Sequence, residues 1–577
     1  MNWKTAYERW TTFQKLDHEL KEQLARIQED EHLLEDCFYK TLEFGTGGLR
    51  GELGPGINRL NIYTIRKVTE GLAQYINAQG EKAKKQGVVI AYDSRHKSSE
   101  FSLEAAKILT LHGIQVYLFD ELQPTPLLSF AVRELKAAAG IVITASHNPP
   151  EYNGYKVYGS DGGQVTLEVA NEIITNINKV YDELHLPVAD KDEVLTNGLL
   201  KMVGQELEDE YMKVMKSIVV NEGLLQESAK EVKVVFTPLH GTANKLVQRG
   251  LTELGFKQVY IVKEQEQPDP NFSTISSPNP EEHRAFEWAI KYGEKVGADI
   301  LMGTDPDADR VGVVVRGQDG KYIVLSGNQT GALMLDYLLR YKKDIPKNGV
   351  ILKTIVTSEI GRVIAEKNGL ETIDTLTGFK YIGERIKEFE TTKERKFLFG
   401  YEESYGYLVG DFVRDKDAVQ ACLFIAEVAT YYKKMGKSLY EGLLEIYKKY
   451  GYFQEDLQTI TLKGKNGLEQ MATVMEFFRG IEDLSVGGAK VTIREDYRHS
   501  IRKYINKATS DKIYLPSSDV LKFILSDGSW FCVRPSGTEP KIKFYFGVKD
   551  NSLESSITKL ATLKDMVLAK VGPLVKI

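Results

Sequence analysis

Ile141-Val142-Ile143-Thr144-Ala145-Ser146-His147-Asn148-Pro149-Pro150 begins as an apolar run and stops at a serine. The run reads as a buried strand. Two prolines stiffen the loop beyond it. The strand thus delivers Ser146 to its end on a rigid element, which suits a nucleophile in covalent catalysis. A Ser-His-Asn-Pro run is equally compatible with a capped turn, so the choice falls to the rest of the chain.

Outward from that stretch the same pattern recurs. Val88-Val89-Ile90-Ala91-Tyr92 is a strand ending in Asp93-Ser94-Arg95, followed by a helix over 99–111 and the strand Gln115-Val116-Tyr117-Leu118-Phe119. Val232-Lys233-Val234-Val235-Phe236 ends at Thr237-Pro238-Leu239-His240-Gly241-Thr242. A helix to Leu254, the strand 259–262, a helix over 282–295 and the strand 299–302 come next. In a third round, the strand 350–354 and a helix lead to Thr372-Ile373 and the turn Thr375-Leu376-Thr377-Gly378-Phe379-Lys380. Phe397-Leu398-Phe399 then enters Gly400-Tyr401-Glu402-Glu403-Ser404. Such alternation marks βαβ units, and open α/β sheets place ligands at the C-terminal ends of their strands. Three such ends could face one cleft.

The flanks differ. Residues 3–43 carry apolar positions at helical spacing (Trp10, Phe13, Leu16, Leu20, Leu24) and read as helices lying on the first domain. Beyond about residue 452, strands over 457–462 and 489–493 precede an Asp527-Gly528 hairpin signal and a helix over 552–571. The expected architecture is four domains: three related α/β domains with mixed sheets over 1–205, 206–324 and 325–451, then a smaller α+β domain over 452–577.

The 577 residues exceed one core. A net charge of −6 argues against non-specific nucleic-acid binding. Three scattered cysteines, Cys37, Cys422 and Cys532, lack metal-type spacing and fit a reducing cytoplasm. The first residues lack the apolar core of a signal peptide, and no apolar run is long enough to span a bilayer.

Four clusters carry chemistry. Asp305-Pro306-Asp307-Ala308-Asp309-Arg310 places three carboxylates at alternate positions between two strands. They would repel one another without a cation, and hard oxygen ligands suggest Mg²⁺ or Ca²⁺. An EF-hand is excluded, since Arg310 stands where glycine is needed and Arg316 where glutamate is needed. Arg534-Pro535-Ser536-Gly537-Thr538-Glu539-Pro540 offers a guanidinium fork, two hydroxyls and inward backbone N–H groups, a phosphate nest unlike a Walker loop. Glu402 and Ser404 offer acceptors and a hydroxyl suited to a polyol. Phe44-Gly45-Thr46-Gly47-Gly48-Leu49-Arg50-Gly51 reads as a glycine-rich turn that is either a connector or a close backbone approach with Arg50 facing an anion. Asn153-Gly154 reads as a tight turn folding Lys156 back beside Ser146. A metal beside a serine Oγ makes sense if the serine carries a phosphoryl group. The Gly-x-Ser-x-Gly elbow of α/β-hydrolases is missing from this stretch.

Together these motifs resemble the α-D-phosphohexomutase family over essentially the whole chain. The 144–149 stretch is similar to its phosphoserine loop, 305–310 to its metal loop, 400–404 to its sugar loop and 534–538 to its phosphate loop. Length and the 44–50 and 534–543 runs are most similar to the longer bacterial phosphoglucomutases. The resemblance implies a heart-shaped four-domain arrangement and interconversion of glucose 1-phosphate and glucose 6-phosphate through a glucose 1,6-bisphosphate intermediate that also serves as activator. It implies Ser146 as the phosphorylated nucleophile, and one Mg²⁺ per chain held by Asp305, Asp307, Asp309 and a phosphoserine oxygen. Glu402 and Ser404, with Thr377, Gly378 and Lys380, would bind the sugar. Arg534, Ser536, Gly537 and Thr538 would bind the unreactive phosphate. His147, Arg50, Arg310 and Lys156 occupy family positions near the reactive phosphoryl group, and Lys416 one suggested for proton transfer. One departure is that Tyr405-Gly406 follows Ser404, where some relatives carry a histidine. Phosphomannomutase or phosphopentomutase activity is the alternative within the family; a metal-dependent phosphatase and a silent sugar-phosphate sensor are the alternatives outside it. Sugar phosphates are the expected partners of a cytoplasmic monomer or weak homo-oligomer, with no nucleic acid and no membrane.

Overall fold

Runs of β-branched residues alternating with capped amphipathic segments set the elements. The structure, a computed structural model, describes residues 2–45, 47–462, 467–481, 485–536 and 541–575. The chain divides into two compact units. One comprises Met1–Thr330, Arg340–Val350 and Phe379–Tyr440, the other Gly331–Leu339, Ile351–Gly378 and Glu441–Ile577.

The first unit opens with helices Trp3–Thr12, His18–Ile27 and Glu31–Phe38, capped by the side chains of Asn2, Asp17 and Asp30. Their apolar stripes bury Trp10, Leu20 and Leu24 in one cluster with Leu16 from the link between the first two helices and with Ile57, Tyr63 and Leu184, while Phe13 packs at its edge. A seven-stranded sheet follows, ordered Phe44–Gly45, Gly48–Glu52, Tyr152–Gly159, Ala139–Ile143, Val88–Tyr92, Val116–Phe119, Leu200–Val203. Its last four strands are parallel and the others antiparallel. A five-stranded mixed sheet is ordered Tyr322–Val324, Val311–Arg316, Ile300–Thr304, Lys233–Thr237, Gln258–Ile261. The same unit holds helix Phe379–Thr392, the antiparallel hairpin Lys396–Glu402 with Gly406–Leu408, and the buried helix Ala418–Lys434.

The second unit is built on an antiparallel sheet. Its path runs Tyr452–Thr461, Lys541–Asp550, Trp530–Pro535, Leu521–Leu525, Ala489–Asp496, Ile501–Tyr504, Thr509–Lys512. Helices Gly467–Gly480 and Leu553–Val571 bury Val474, Phe478, Leu563 and Val567 with Phe531 and Phe544 from the strands. Among the described residues no helix is long and apolar enough to cross a membrane, and the three cysteines are buried.

Two expected turns are strands instead. Phe44–Gly45 and Gly48–Glu52 pair as antiparallel strands, and the second pairs Gly48 with Lys156 and Arg50 with Gly154. Asn153-Gly154 lies inside strand Tyr152–Gly159. Its composition serves close packing, since a Cβ on Gly154 would stand 2.5 Å from the Thr144 carbonyl oxygen and 2.8 Å from that of Leu49. The Asn153 side chain donates to His96 O and Ser98 Oγ, both at 2.9 Å. The loop expected from Gly400 begins later, because strand Lys396–Glu402 carries pairing through Glu402 opposite Gly406.

Candidate active site

Strand Ala139–Ile143 ends three residues before a sharp change of direction at Ser146, which holds φ +53°. A non-glycine residue there is strained and persists only where its surroundings hold it. Two contacts do so. Its N–H donates to Thr144 Oγ1 at 2.8 Å. The buried Arg95 guanidinium donates to the carbonyl oxygens of Ser146 and Asn148, and to those of Pro149 at 2.8 Å and Tyr152 at 3.1 Å. Asp93 stands 3.4 Å from Arg95 Nε. Burial lowers the Arg95 pKa from its ordinary value, opposed by Asp93.

Strand Ile300–Thr304 delivers Asp305, Asp307 and Asp309, all buried, with carboxylate oxygens within 4.8 Å of one another. The loop turns tightly through Ala308 at φ +55°, and the N–H groups of Asp309 and Arg310 donate to Asp305 Oδ1 at 3.1 and 2.9 Å. Neighbouring segments hold it in place. Thr125 donates from its N–H to Asp307 O at 2.8 Å and from Oγ1 to Asp307 Oδ2 at 3.0 Å. Thr242 donates from its N–H and its hydroxyl to Pro306 O, each at 2.9 Å. Ala418 donates to Ala308 O and Val311 to Tyr405 O, each at 3.1 Å.

The two strand ends meet at Ser146 Oγ, which donates to Asp305 Oδ2 at 2.6 Å and lies 3.1 Å from His147 Nδ1. Lys156, opposite Val142 in the sheet, reaches Asp307 at 2.8 Å and Asp309 at 3.7 Å. It therefore meets the acidic loop by strand register, without the turn expected at 153–154. Lys416 stands 3.1 Å from Asp309 and 3.0 Å from Asp415, and Tyr158 donates to Asp415 at 2.8 Å. Arg310 pairs with Glu281 and lies 3.7 Å from Asp309. Arg50 is exposed on its strand and donates to Asn148 Oδ1 at 3.0 Å.

Burial and its two acidic neighbours push Asp305 well above the usual carboxylate range. Burial works against the charge of Asp307 too, but Lys156 prevails and holds its carboxyl low. Burial is likewise overcome at Lys156 by Asp307 and Asp309, and at Lys416 by Asp309, Asp415 and Glu402, so both stay charged. Burial, then Arg310 and Arg50, push His147 well below its ordinary value, so the imidazole is neutral. Asp307 Oδ1 and Asp309 Oδ1 are buried and make no hydrogen bond. Three hard oxygen donors from one loop, two of them lacking a hydrogen bond, fit a divalent cation such as Mg²⁺.

The remaining expected residues divide between the units. In the first, Glu402 is buried at the end of its strand, where it helps hold Arg310 charged. Ser404 lies half-buried in the hairpin turn before Tyr405 at φ +65°. Lys380 sits in the first turn of helix Phe379–Thr392, its pKa lowered to about 8 by burial, with Glu384 opposing. In the second, Thr377 and Gly378 follow strand Glu371–Thr375, with Gly378 at φ +116°. Arg534 is still in strand Trp530–Pro535, opposite Lys543, and Ser536 N–H closes on Lys541 O at 2.7 Å. Gly537 and Thr538 lie outside the described residues.

Four models described as phosphoglucomutase/phosphomannomutase domains match the chain in order. Alpha/beta/alpha domain I matches residues 41–183, domain II 209–319, domain III 326–450 and the C-terminal domain 489–559. The chain belongs to the phosphoglucomutase/phosphomannomutase family. As a member of this α-D-phosphohexomutase group, it carries three α/β domains with mixed sheets and a C-terminal domain with an antiparallel sheet. It is 40% identical over 523 residues to a phosphoglucomutase of Staphylococcus aureus, covering 91% of this chain and 92% of the relative. It is 39% identical over 521 residues to that of Staphylococcus haemolyticus, covering 90% and 92%. In fold it is similar to parafusin, a phosphoglucomutase from Paramecium, with a TM-score of 0.70 at 18% identity over 93% of this chain and 96% of that one. It is also similar to a Thermus thermophilus phosphomannomutase structure, with a TM-score of 0.66 at 22% identity over 92% and 99%.

Arg95, Thr125 and Tyr158 escaped the sequence reading. Only the polar strand end Asp93-Ser94-Arg95 hinted at the first. The other two act through contacts with residues far along the chain.

Proposed function

We propose that this chain is a phosphoglucomutase that interconverts glucose 1-phosphate and glucose 6-phosphate through phosphorylated Ser146. The observation that carries the reading is Ser146 Oγ, on a strained and clamped residue, 2.6 Å from one carboxylate of a buried three-aspartate cluster. The 40% identity to named phosphoglucomutases supports glucose as the sugar. The domain divisions fall near 205, 324 and 451 on this reading.

Phosphorylated Ser146 gives its phosphoryl group to the free hydroxyl of the bound monophosphate. The bisphosphate turns end for end, and its other phosphoryl group returns to Ser146. Asp305, Asp307, Asp309 and a phosphoserine oxygen would hold Mg²⁺, which when bound supplies charge neutralisation to the transferring oxygens. Lys156, Arg310 and Arg50 add fixed positive charge around Oγ; a donor of this type is worth about 10²–10³ in rate. In the forward transfer the proton given up by the attacking sugar hydroxyl balances the one gained by Ser146 Oγ; in the return step neutral His147, with Nδ1 at 3.1 Å, accepts the Oγ proton and gives it up to the sugar oxygen that is set free. Lys416 is pinned by two carboxylates and stays charged, which suits it to stabilise the attacking sugar oxygen. Glu402, Ser404, Thr377, Gly378 and Lys380 bind the sugar. Arg534, Ser536, Gly537 and Thr538 bind the phosphate that does not react, so both substrate orientations share one set of contacts.

Intact mass with peptide mapping and a coupled assay test the reading. Wild type carries phosphate on Ser146 and is stimulated by glucose 1,6-bisphosphate, while Ser146→Ala loses both phosphate and activity. Full mutase activity in Ser146→Ala would end the proposal. Comparing kcat/KM on glucose 1-phosphate, mannose 1-phosphate and ribose 1-phosphate tests the sugar preference.

A further inference from the structure

Arg414, Asp415, Lys416 and Asp417 are four consecutive charged residues, and all four are buried just before helix Ala418–Lys434. Charges are buried in a row only where each has a partner. Arg414 pairs with Glu390 at 2.9 Å. Asp417 accepts from Tyr211 at 2.7 Å and caps the helix through the N–H of Gln420 at 2.9 Å. Lys416 reaches the acidic loop, 3.1 Å from Asp309. Its stem runs over Gly406, where a Cβ would collide with Lys416 Cγ and Cδ, and its ammonium lies 5.6 Å from the centre of the Phe379 ring. Glycine and ring shape the path of the side chain but offer the ammonium no directional acceptor. Asp415 supplies one. Its Oδ1 accepts from the Lys416 N–H at 2.8 Å and from Nζ at 3.0 Å.

The carboxylate of Asp415 is itself steered from far along the chain. Its Oδ2 accepts from Tyr158 Oη at 2.8 Å. Tyr158 lies on strand Tyr152–Gly159, two residues beyond Lys156 and so on the same face of the sheet. Its ring is fully buried, opposite Gly140 in the neighbouring strand. Gln164 donates to the same hydroxyl at 3.4 Å, which commits the phenol proton to Asp415. A carboxylate with both oxygens unengaged turns readily about its Cβ–Cγ bond. With Oδ2 held by Tyr158, Oδ1 alone faces Lys416. The ammonium then stands between Asp415 and Asp309 at nearly equal distances, 3.0 and 3.1 Å. We propose that Tyr158 is a positioning residue for phosphoryl transfer: through Asp415 it holds the Lys416 ammonium at the acidic loop. The inference rests on the mutase reading of the site and adds to it a residue that acts through two others.

Tyr158→Phe removes the hydroxyl and keeps the ring. Steady-state kinetics of the full chain on glucose 1-phosphate should show kcat lowered by about 10–10²-fold with KM within about twofold of wild type. Urea denaturation beside the assay reports the folded fraction, to which each kcat is referred. A double-mutant cycle identifies the route. Lys416→Met removes the ammonium that Tyr158 places, so adding Tyr158→Phe should lower the remaining kcat by less than about twofold. Asp415→Ala removes the intermediary and should give the same result in a second cycle. Should Tyr158→Phe fail to fold, Asp415→Asn keeps the shape of the intermediary and should lower kcat over the same range at unchanged KM. The proposal is overturned by a wild-type kcat in folded Tyr158→Phe or Asp415→Asn. It is equally overturned if Tyr158→Phe costs its full factor in both cycles, since the hydroxyl would then act on the fold and not through Lys416. Wild type without mutase activity would overturn the mutase reading itself; the wild-type assay alone decides that, so the two failures are told apart.

Discussion

Arg95 illustrates how one side chain can fix the backbone path of the loop that carries the candidate nucleophile. Its fork binds four carbonyl oxygens of the Ser146 loop, and Asp93 lies beside its Nε. Lysine keeps the charge but loses the planar fork. Arg95→Lys should therefore lower kcat by about 10–10²-fold with little change in KM, since small misplacements of a reacting group cost that much. Arg95→Met should in addition cost about 3–5 kcal/mol, because Asp93 is left as a buried, uncompensated charge. Steady-state kinetics beside urea denaturation separates the two effects. Asp417 makes a different residue-scale prediction. Burial raises its pKa to about 6, against the opposing hydrogen bonds from Gln420 and Tyr211. Between its unfolded pKa near 4 and about 6, the folded chain binds more protons than the unfolded one. This group's contribution to stability therefore falls as pH rises through that window. Asp417→Asn should remove that fall and raise stability at pH 7 by on the order of 2 kcal/mol. Denaturation of both proteins at pH 4 and pH 7 checks it, and an unchanged pH slope in the variant would sink it.

At the scale of elements, strand Tyr152–Gly159 is the bridge between sequence and site. Gly154 lets the backbones of the Ser146 strand and the Gly48–Glu52 strand approach from both sides. Gly154→Ala should cost about 1–3 kcal/mol by overpacking. It should also lower activity, because the displaced carbonyl is that of Thr144, whose hydroxyl holds Ser146 N–H. Thermal unfolding and mutase rate would fall together; a variant with full activity and stability would contradict this role. The same strand explains what the sequence disclosed and what it hid. Ser146 and the three aspartates were legible because each sits where an apolar run stops, and because carboxylates at alternate positions need a cation whatever the fold. Gly48-Leu49-Arg50 and Asn153-Gly154 misread as turns because glycine signals both a turn and a close backbone approach. Only the antiparallel pairing of two segments about a hundred residues apart decides between these meanings. Thr125 was hidden for the same reason: its bond to Asp307 spans 182 positions, and no local pattern announces it.

Across the first unit, the candidate metal site is a staple. The acidic loop ends a strand of the five-stranded sheet, Ser146 follows a strand of the seven-stranded sheet, and Lys416 precedes helix Ala418–Lys434. Without a cation, three carboxylates within 4.8 Å are balanced by Lys156, Lys416 and a raised Asp305 pKa. A divalent ion shared by Ser146 and the three aspartates would bind the folded arrangement and not the unfolded chain. At a hundredfold excess over its Kd it should add about 2.7 kcal/mol to stability. The gain should shrink as pH falls, because Asp305 must release its proton for the ion to bind. Hydrogen exchange with and without Mg²⁺ localises the effect: protection should rise together in residues 141–146 and 300–311, two segments on different sheets. Asp307→Ala/Asp309→Ala should abolish the rise in both, and chelation should abolish mutase activity in wild type. Protection rising in 300–311 alone would show that the ion belongs to the acidic loop without joining the serine to it, and the staple would have to be abandoned.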